Sequence, residues 1–290
     1  MESEMKITGL APWFGAKRTL APTIVRLLGK HHAYWEPFCG SMAVLFAKQA
    51  CRNETLNDMN GHVVNLAKVV ASNEGPALFE RLLRTTFCET VFLEAKAREK
   101  EYPDRTGLDA AYDFFVESWM GKNGVAGTRK SNTSFCVRYT ANGGDPATRF
   151  KSAVDSIPAW ANRLRGVWIL QRDAFELIPR IEDKSGTAIY VDPPYLKKGA
   201  RYIHDFKPED HARLAETLAR FRQARVVVSY YQDPLLEELY PRSAWTHIEA
   251  FQTKSLLSQG QLGKTGEFVV APEMLIVNGV DVTTLFDEHK

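Results

Sequence analysis

Cysteine is scarce in this chain. The four present, Cys39, Cys51, Cys88 and Cys136, form no C-x-x-C pair and have no histidine at finger spacing. This argues against a structural zinc site and against a disulfide scaffold, and it fits a reducing, cytoplasmic setting. The seven histidines are dispersed, so no metal is expected. The start of the chain carries no basic-then-apolar leader, and no window nears the roughly 18 apolar residues of a membrane span, so no membrane partner is expected. Internal repeats, heptad runs and low-complexity tracts are missing too, which removes solenoids, coiled coils and linker arrays. An excess of charge is also lacking. Lys and Arg number 37 against 35 Asp and Glu, a formal +2, so whole-chain charge neither demands nor excludes a polyanionic partner. No G-x-G-x-x-G follows the first strand, which counts against a dinucleotide-dependent oxidoreductase. What remains is a chain of 290 residues, 44% of them hydrophobic, enough for one large core or a core plus an insert.

Short β-branched or aromatic runs alternate with helical periodicity. His32 to Glu36 reads as a strand, Pro37 to Ser41 as a turn and Ala43 to Lys48 as a helix. A second strand ends near Thr55-Leu56-Asn57-Asp58 and leads into the helical run Val63 to Val70. Further strands are predicted at Val167–Leu170, Ala188–Val191 and Val226–Val228, the last stopping at Ser229 and preceded by a helix over Pro208–Arg222. Phe268–Ala271 and Met274–Val277 are close enough to form a hairpin at one edge. The pattern predicts an α/β fold with a doubly wound, mostly parallel sheet and a C-terminal antiparallel hairpin.

Between about Glu74 and Arg165 the pattern changes. Helical stretches at Ala77–Arg84 and Leu108–Met120 give way to a Gly/Asn/Ser/Thr-rich passage, Gly121 to Gly144. From Ser118 to Arg165, Lys122, Arg129, Lys130, Arg138, Arg149, Lys151, Arg163 and Arg165 face only Asp145 and Asp155, a local +6 that leaves about −4 elsewhere. Such a stretch, interleaved with Trp119, Phe135, Tyr139 and Phe150, suits phosphate contact with aromatic wedging; a solvated basic loop is the plainer alternative. The expected division is a catalytic domain from 1–74 and 166–290 with a helical and loop recognition insert at 75–165.

The most informative tetrapeptide is Asp192-Pro193-Pro194-Tyr195. Two prolines fix φ and remove two amide donors, which leaves a stiff turn whose carbonyls point in set directions. At the carboxyl end of a parallel strand, where open α/β sheets bind ligands, the turn becomes a polar clamp beside an aromatic plate. That arrangement suits an exocyclic amino group on a planar base. Hydrogen bonds from the amine to the Asp192 carboxylate and the Pro193 carbonyl would favour its tetrahedral, nucleophilic form, with Tyr195 stacked on the base.

These residues resemble the signature of the S-adenosylmethionine-dependent DNA adenine-N6 methyltransferases of bacteria and phages, the D12 or Dam-like class with its D-P-P-Y. The likeness continues in order along the chain. Pro12-Trp13-Phe14-Gly15-Ala16-Lys17 is similar to the family's F-x-G-x-K element, which implies that Lys17 holds the methionine carboxylate and Trp13 lines the same pocket. Glu36-Pro37-Phe38-Cys39-Gly40-Ser41 resembles its E-P-F-x-G-S loop. Asn57-Asp58 matches the acidic end of the second strand, which implies that Asp58 takes the ribose hydroxyls. Asp173-Ala174-Phe175 resembles the element after the third strand, which places Asp173 near the cofactor's adenine amine. Where the family usually has a second glycine this chain has Met42, expected here at negative φ.

The resemblance implies a Rossmann-like methyltransferase sheet and direct transfer of a methyl group from S-adenosylmethionine to N6 of a flipped-out adenine, with S-adenosylhomocysteine as product and no metal. It implies double-stranded DNA as partner, with Lys122, Arg129, Lys130 and Arg138 as candidate phosphate contacts, and leaves a restriction-enzyme partner unassigned. A methyltransferase of the same fold acting on RNA or on a protein amide, and a catalytically silent DNA-binding module, are the rival readings.

Overall fold

A computed structural model describes residues 5–13, 15–122, 133–137, 144–196, 205–253 and 270–279. In chain order these form α1 (Ala21–Leu28), β1 (Ala33–Glu36), α2 (Ala43–Ala47), β2 (Asn53–Asn57), α3 (Gly61–Ala71), α4 (Gly75–Leu83), α5 (Glu89–Glu101), α6 (Leu108–Met120), α7 (Pro146–Leu164), β3 (Trp168–Leu170), α8 (Ala174–Leu177), β4 (Thr187–Val191), α9 (Pro208–Leu218), β5 (Arg225–Tyr231), α10 (Leu235–Leu239), β6 (Trp245–Thr253) and β7 (Val270–Asn278). The strands make one seven-stranded sheet in the order β3-β2-β1-β4-β5-β7-β6. β4 runs parallel to β1 and to β5, while β7 is antiparallel to both of its neighbours. This is a mostly parallel, doubly wound sheet with an antiparallel C-terminal edge. Strand order reverses between β1 and β4, which pair with Trp35 opposite Ile189. Ligands of open α/β sheets bind outside the carboxyl ends of the strands at such a switch point.

Three elements differ from the sequence reading by more than their terminal one or two residues. β5 does not stop at Ser229; Ser229, Tyr230 and Tyr231 lie within it, opposite Leu275, Met274 and Glu273. The expected two-run C-terminal hairpin is instead one strand, β7, whose hairpin partner is β6; Phe268 lies outside the described residues. Pro272 does not break β7, because the pairing with β5 ends at Tyr231 opposite Glu273 and Pro272 faces a partner only on the β6 side. A proline without an N–H is tolerated where one side of a strand is unpaired. The third difference is α9, which ends at Leu218 rather than continuing to Arg222.

The chain folds as two compact units. One comprises Met1–Arg18, Cys39–Ala50 and Leu56–Arg172; the other comprises Thr19–Phe38, Cys51–Thr55 and Asp173–Lys290. In the first, helices α3 to α7 close on a core that includes Phe115, Trp119, Phe150 and Trp160. The indole N–H of Trp119 donates to the Leu10 carbonyl at 3.0 Å and that of Trp160 to the Ile7 carbonyl at 2.7 Å, so both rings are buried with their polar atoms satisfied. Trp119 and Phe150 are therefore not surface wedges: each sits on the inward stripe of its helix, Phe150 edge-on to Phe115 at 5.8 Å. Phe135 packs against Phe87 and Phe92, and Tyr139 lies outside the described residues. α7 starts with Asp145, whose carboxylate accepts the N–H groups of Ala147 and Thr148, a cap that satisfies donors the first turn leaves open.

In the second unit, Ile189, Val191, Val226, Val228 and Ile276 of the strands pack with Leu214 and Leu218 of α9. Each fully buried aliphatic side chain of this kind contributes about 1.5–3 kcal/mol. Among the described residues no helix is long and apolar enough to cross a membrane.

Candidate active site

The sequence-selected residues fall into two groups, one in each unit. In the first unit the loop after β1 turns at Gly40, whose φ is +44° and whose absent Cβ would lie 2.8 Å from Trp13 Nε1. Only glycine allows both the turn and that approach. The Gly40 N–H donates to Asp58 Oδ2 at 2.8 Å, and the Asn60 N–H donates to Asp58 Oδ1 at 2.9 Å. Asn60 in turn caps α3, its side-chain oxygen accepting from the His62 and Val63 amides. Asn57, paired with Asp58 in the sequence reading, is structural: its amide clasps the Arg172 backbone, donating to the carbonyl and accepting from the N–H, both at 2.9 Å. Ser41 is buried, and its carbonyl accepts from the Leu10 N–H. Lys17 is also buried, and its ammonium donates to the Gly15 carbonyl at 2.7 Å; Phe14 lies outside the described residues.

Met42, expected at negative φ, stands at φ +63° and ψ +28°. It is the only non-glycine residue with positive φ among those described. The physical reason is its place at the start of α2. The chain turns at Gly40 and again at Met42, whose N–H donates to the Cys39 carbonyl at 2.7 Å, and the fully buried Met42 side chain holds the strained turn in place.

In the second unit the turn after β4 carries Asp192, Pro193, Pro194 and Tyr195. Asp192 Oδ1 accepts from the Ser229 hydroxyl at 2.8 Å and from the Tyr195 hydroxyl at 3.1 Å. Two hydroxyls on one oxygen fix the plane of the carboxylate. Ser229 lies 2.9 Å from the Tyr190 hydroxyl. Burial, followed by the negative charges of Asp192, Glu36 and Glu273, pushes the Tyr190 phenol well above its ordinary value, so it stays a neutral donor. Since the Ser229 proton points to Asp192, Tyr190 donates to Ser229 and the chain of hydroxyls runs one way. The Tyr195 ring is buried, edge-on to Tyr231 at 4.4 Å, and its hydroxyl is also 3.0 Å from Glu273 Oε2.

The other sequence-selected residues of this unit line the neighbouring strand ends. Glu36 is buried and accepts from the Tyr34 hydroxyl at 2.8 Å. Pro37 is buried beside it. Phe38 meets Phe206 edge-on at 5.7 Å, and Phe206 stacks on Phe175 at 5.4 Å. Asp173 caps α8, accepting from the Phe175 N–H at 2.8 Å, with Ala174 buried behind it. Sequence reasoning misses Tyr190, Phe206 and Glu273. For Glu273 a signal existed, a lone carboxylate within an apolar strand run, which marks either a bulge or a buried charge with a task. Of the candidate DNA contacts, Lys122 is exposed, while Arg129, Lys130 and Arg138 lie outside the described residues. No group of three His, Cys, Asp or Glu residues able to hold a metal ion occurs among the described residues.

The fixed carboxylate of Asp192 thus stands at a Pro-Pro turn at the end of β4, the central strand of a sheet whose order reverses beside it. Residues 13–254 match the model of the D12 class N6 adenine-specific DNA methyltransferases. The protein belongs to that family, and membership implies use of S-adenosylmethionine. Among solved structures, the chain is similar to two of the rRNA methyltransferase aviRa from Streptomyces viridochromogenes. One has 15% identity and a TM-score of 0.42, with 98% of this chain and 95% of that chain covered. The other has 16% and 0.43, with 99% and 96% covered. Likeness at this level bears on neither substrate nor site.

The residues present suit the cofactor. The missing Cβ at Gly40 lets the loop backbone pass directly against the Trp13 indole, and Asp58 is oriented by two amides as an acceptor. A carboxylate oxygen has two lone pairs, so one that accepts an amide can also accept a ribose hydroxyl.

Proposed function

We propose that the protein is a site-specific DNA methyltransferase that transfers a methyl group from S-adenosylmethionine to N6 of a flipped-out adenine in duplex DNA. The observation that carries this reading is the carboxylate of Asp192, held by two hydroxyls at the end of β4 and followed by a proline pair. When bound, S-adenosylmethionine supplies a methyl group on a sulfonium, already a strong leaving group. The protein's task is then positioning. Asp192 would accept one N–H of the target amine and the Pro193 carbonyl the other, which draws the nitrogen lone pair out of the ring plane. Pro193 and Pro194 keep that carbonyl fixed. Tyr195 would serve twice, its ring against the base and its hydroxyl on Asp192.

On the cofactor side, Asp58 would take the ribose hydroxyls, Lys17 the methionine carboxylate beside Trp13, and Asp173 the adenine amine. Glu36, Pro37, Phe38, Gly40, Ser41, Ala174 and Phe175 would complete the cofactor walls. Adenine N6 is paired inside a duplex, so the base has to be flipped out, and Lys122, Arg129, Lys130 and Arg138 in the 75–165 insert would hold the phosphates.

The test offers methyl-labelled S-adenosylmethionine with duplex DNA, RNA and protein in parallel, and digests each product to nucleosides or amino acids. Label in N6-methyldeoxyadenosine from the duplex is expected. Label confined to RNA or to glutamine would replace the substrate assignment, and label nowhere would remove it.

A further inference from the structure

Glu273 sits in the middle of β7, in register with Tyr231 of β5, and is followed by the buried residues Met274, Leu275, Ile276 and Val277. At 1% exposure its carboxyl group has lost the hydration that a strand of this composition would otherwise avoid losing by using an apolar residue. Burying a carboxyl is costly unless it is hydrogen-bonded, and the cost is tolerated where the group has a task. Glu273 Oε2 lies 3.0 Å from the Tyr195 hydroxyl, which lies 3.1 Å from Asp192 Oδ1. Building on the methyltransferase reading, we propose that Glu273 is a positioning residue for methyl transfer. It holds the Tyr195 hydroxyl, and through it fixes the Asp192 carboxylate that receives the target amine.

The proton count sharpens this role. A phenol has one proton, and here it faces a carboxyl oxygen on each side. The phenol can donate to only one of the two at any moment, so its single proton is shared between the Asp192 and Glu273 carboxyl groups. Tyr195 is therefore held from the β7 side while Ser229 and Tyr190 hold Asp192 from the β5 and β4 side. The pair of supports prevents the carboxylate from rotating about its Cβ–Cγ bond. A glutamine at 273 can both accept and donate in the same place, so it should restore the bridge without the charge.

The experiment compares wild type, Glu273→Ala, Glu273→Gln, Tyr195→Phe and the Glu273→Ala/Tyr195→Phe double variant. Single-turnover methylation of an adenine duplex, KM for DNA and calorimetric affinity for S-adenosylmethionine are measured on each. Glu273→Ala and Tyr195→Phe are expected to lower the rate tenfold or more, with KM and cofactor affinity within about twofold. Residues acting through one another are non-additive, so the double variant should lie within about twofold of the worse single variant. Glu273→Gln should recover most of the rate. Should Glu273→Ala fail to fold, Glu273→Met, which keeps the volume and removes both oxygens, takes its place. A near-normal rate in the apolar variant, effects that multiply, or no recovery by glutamine would overturn the inference. A wild type that transfers no methyl group would instead remove the functional reading on which it rests, so the two failures are separable.

Discussion

Two carboxylates at strand ends are held in different ways. Asp58 is fixed by main-chain amides, those of Gly40 and Asn60, at 2.8 and 2.9 Å. Asp192 is fixed by side-chain hydroxyls, those of Ser229 and Tyr195. Backbone amides hold a carboxylate as a permanent charged acceptor and tie it to the shape of a loop. Hydroxyls orient it and link it to further groups that can share protons, here Tyr190 and Glu273. The difference suits two tasks, steady recognition of a polar ligand in one place and activation of a reacting amine in the other.

The largest effect is expected from Asp192→Ala, which removes one side of this contrast. Deleting one well-placed partner of the reacting group typically costs about 10²–10³ in rate, so single-turnover methylation should fall by that factor. Near-normal turnover would place the chemistry elsewhere. Asp58→Ala should act on the other side and weaken S-adenosylmethionine binding about 10–100-fold, as expected for a charge-assisted hydrogen bond of about 1.5–3 kcal/mol. Replacing Lys122, Arg129 and Arg138 with alanine leaves both carboxylates untouched. The slope of log DNA affinity against log salt should flatten by about 0.9 for each phosphate that the protein no longer neutralises, with cofactor affinity unchanged. An unaltered slope would mark the basic passage as a solvated loop.

Smaller effects probe how the supports themselves are built. At Met42, φ +63° penalises any residue with a Cβ. Met42→Gly should therefore be more stable than Met42→Ala by about 1–2 kcal/mol in urea unfolding, although both lose the buried side chain. Equal stability would mean that the turn relaxes.

A third kind of carboxyl bears on stability and not on the reaction. Burial, then the hydrogen bond to Glu99 and the Glu99 charge, pushes Glu117 up to about 9. Between its ordinary value of 4.5 and about 9, the folded chain keeps a proton that the unfolded chain has released. Its contribution to stability is therefore complete below 4.5 and is lost as pH rises through that window. Glu117→Gln should unfold at higher urea than wild type at pH 8, with the gap closing toward pH 5. A gap that is constant with pH would contradict the assignment.

Much of the sheet was legible because Val- and Ile-rich runs stop at polar or proline turns, as at Val191-Asp192. What escaped was polar or one-sided. α5 buries only Phe92 and Ala95, so its sequence carries almost no apolar stripe. β6 lies at the sheet edge and mixes polar with apolar residues. The same logic separates the two carboxylates. Asp58 is supported by Asn60, two residues away, and by the glycine of a recognisable loop, so its surroundings are local in sequence. Asp192 depends on Ser229, 37 residues on, and through Tyr195 on Glu273, 78 residues further than that tyrosine. No spacing rule predicts such partners; they arise only when β7 inserts beside β5. The backbone of Met42 escapes the sequence for a related reason, since a side chain's ability to hold a left-handed turn depends on the core it fills.

The division of labour between the two carboxylates is tested most directly by titrating S-adenosylmethionine calorimetrically into Asp58→Ala and Asp192→Ala side by side. Affinity is expected to fall at least tenfold in Asp58→Ala and to stay within a few-fold of wild type in Asp192→Ala. Undiminished binding by Asp58→Ala, or loss of binding by Asp192→Ala, would contradict it.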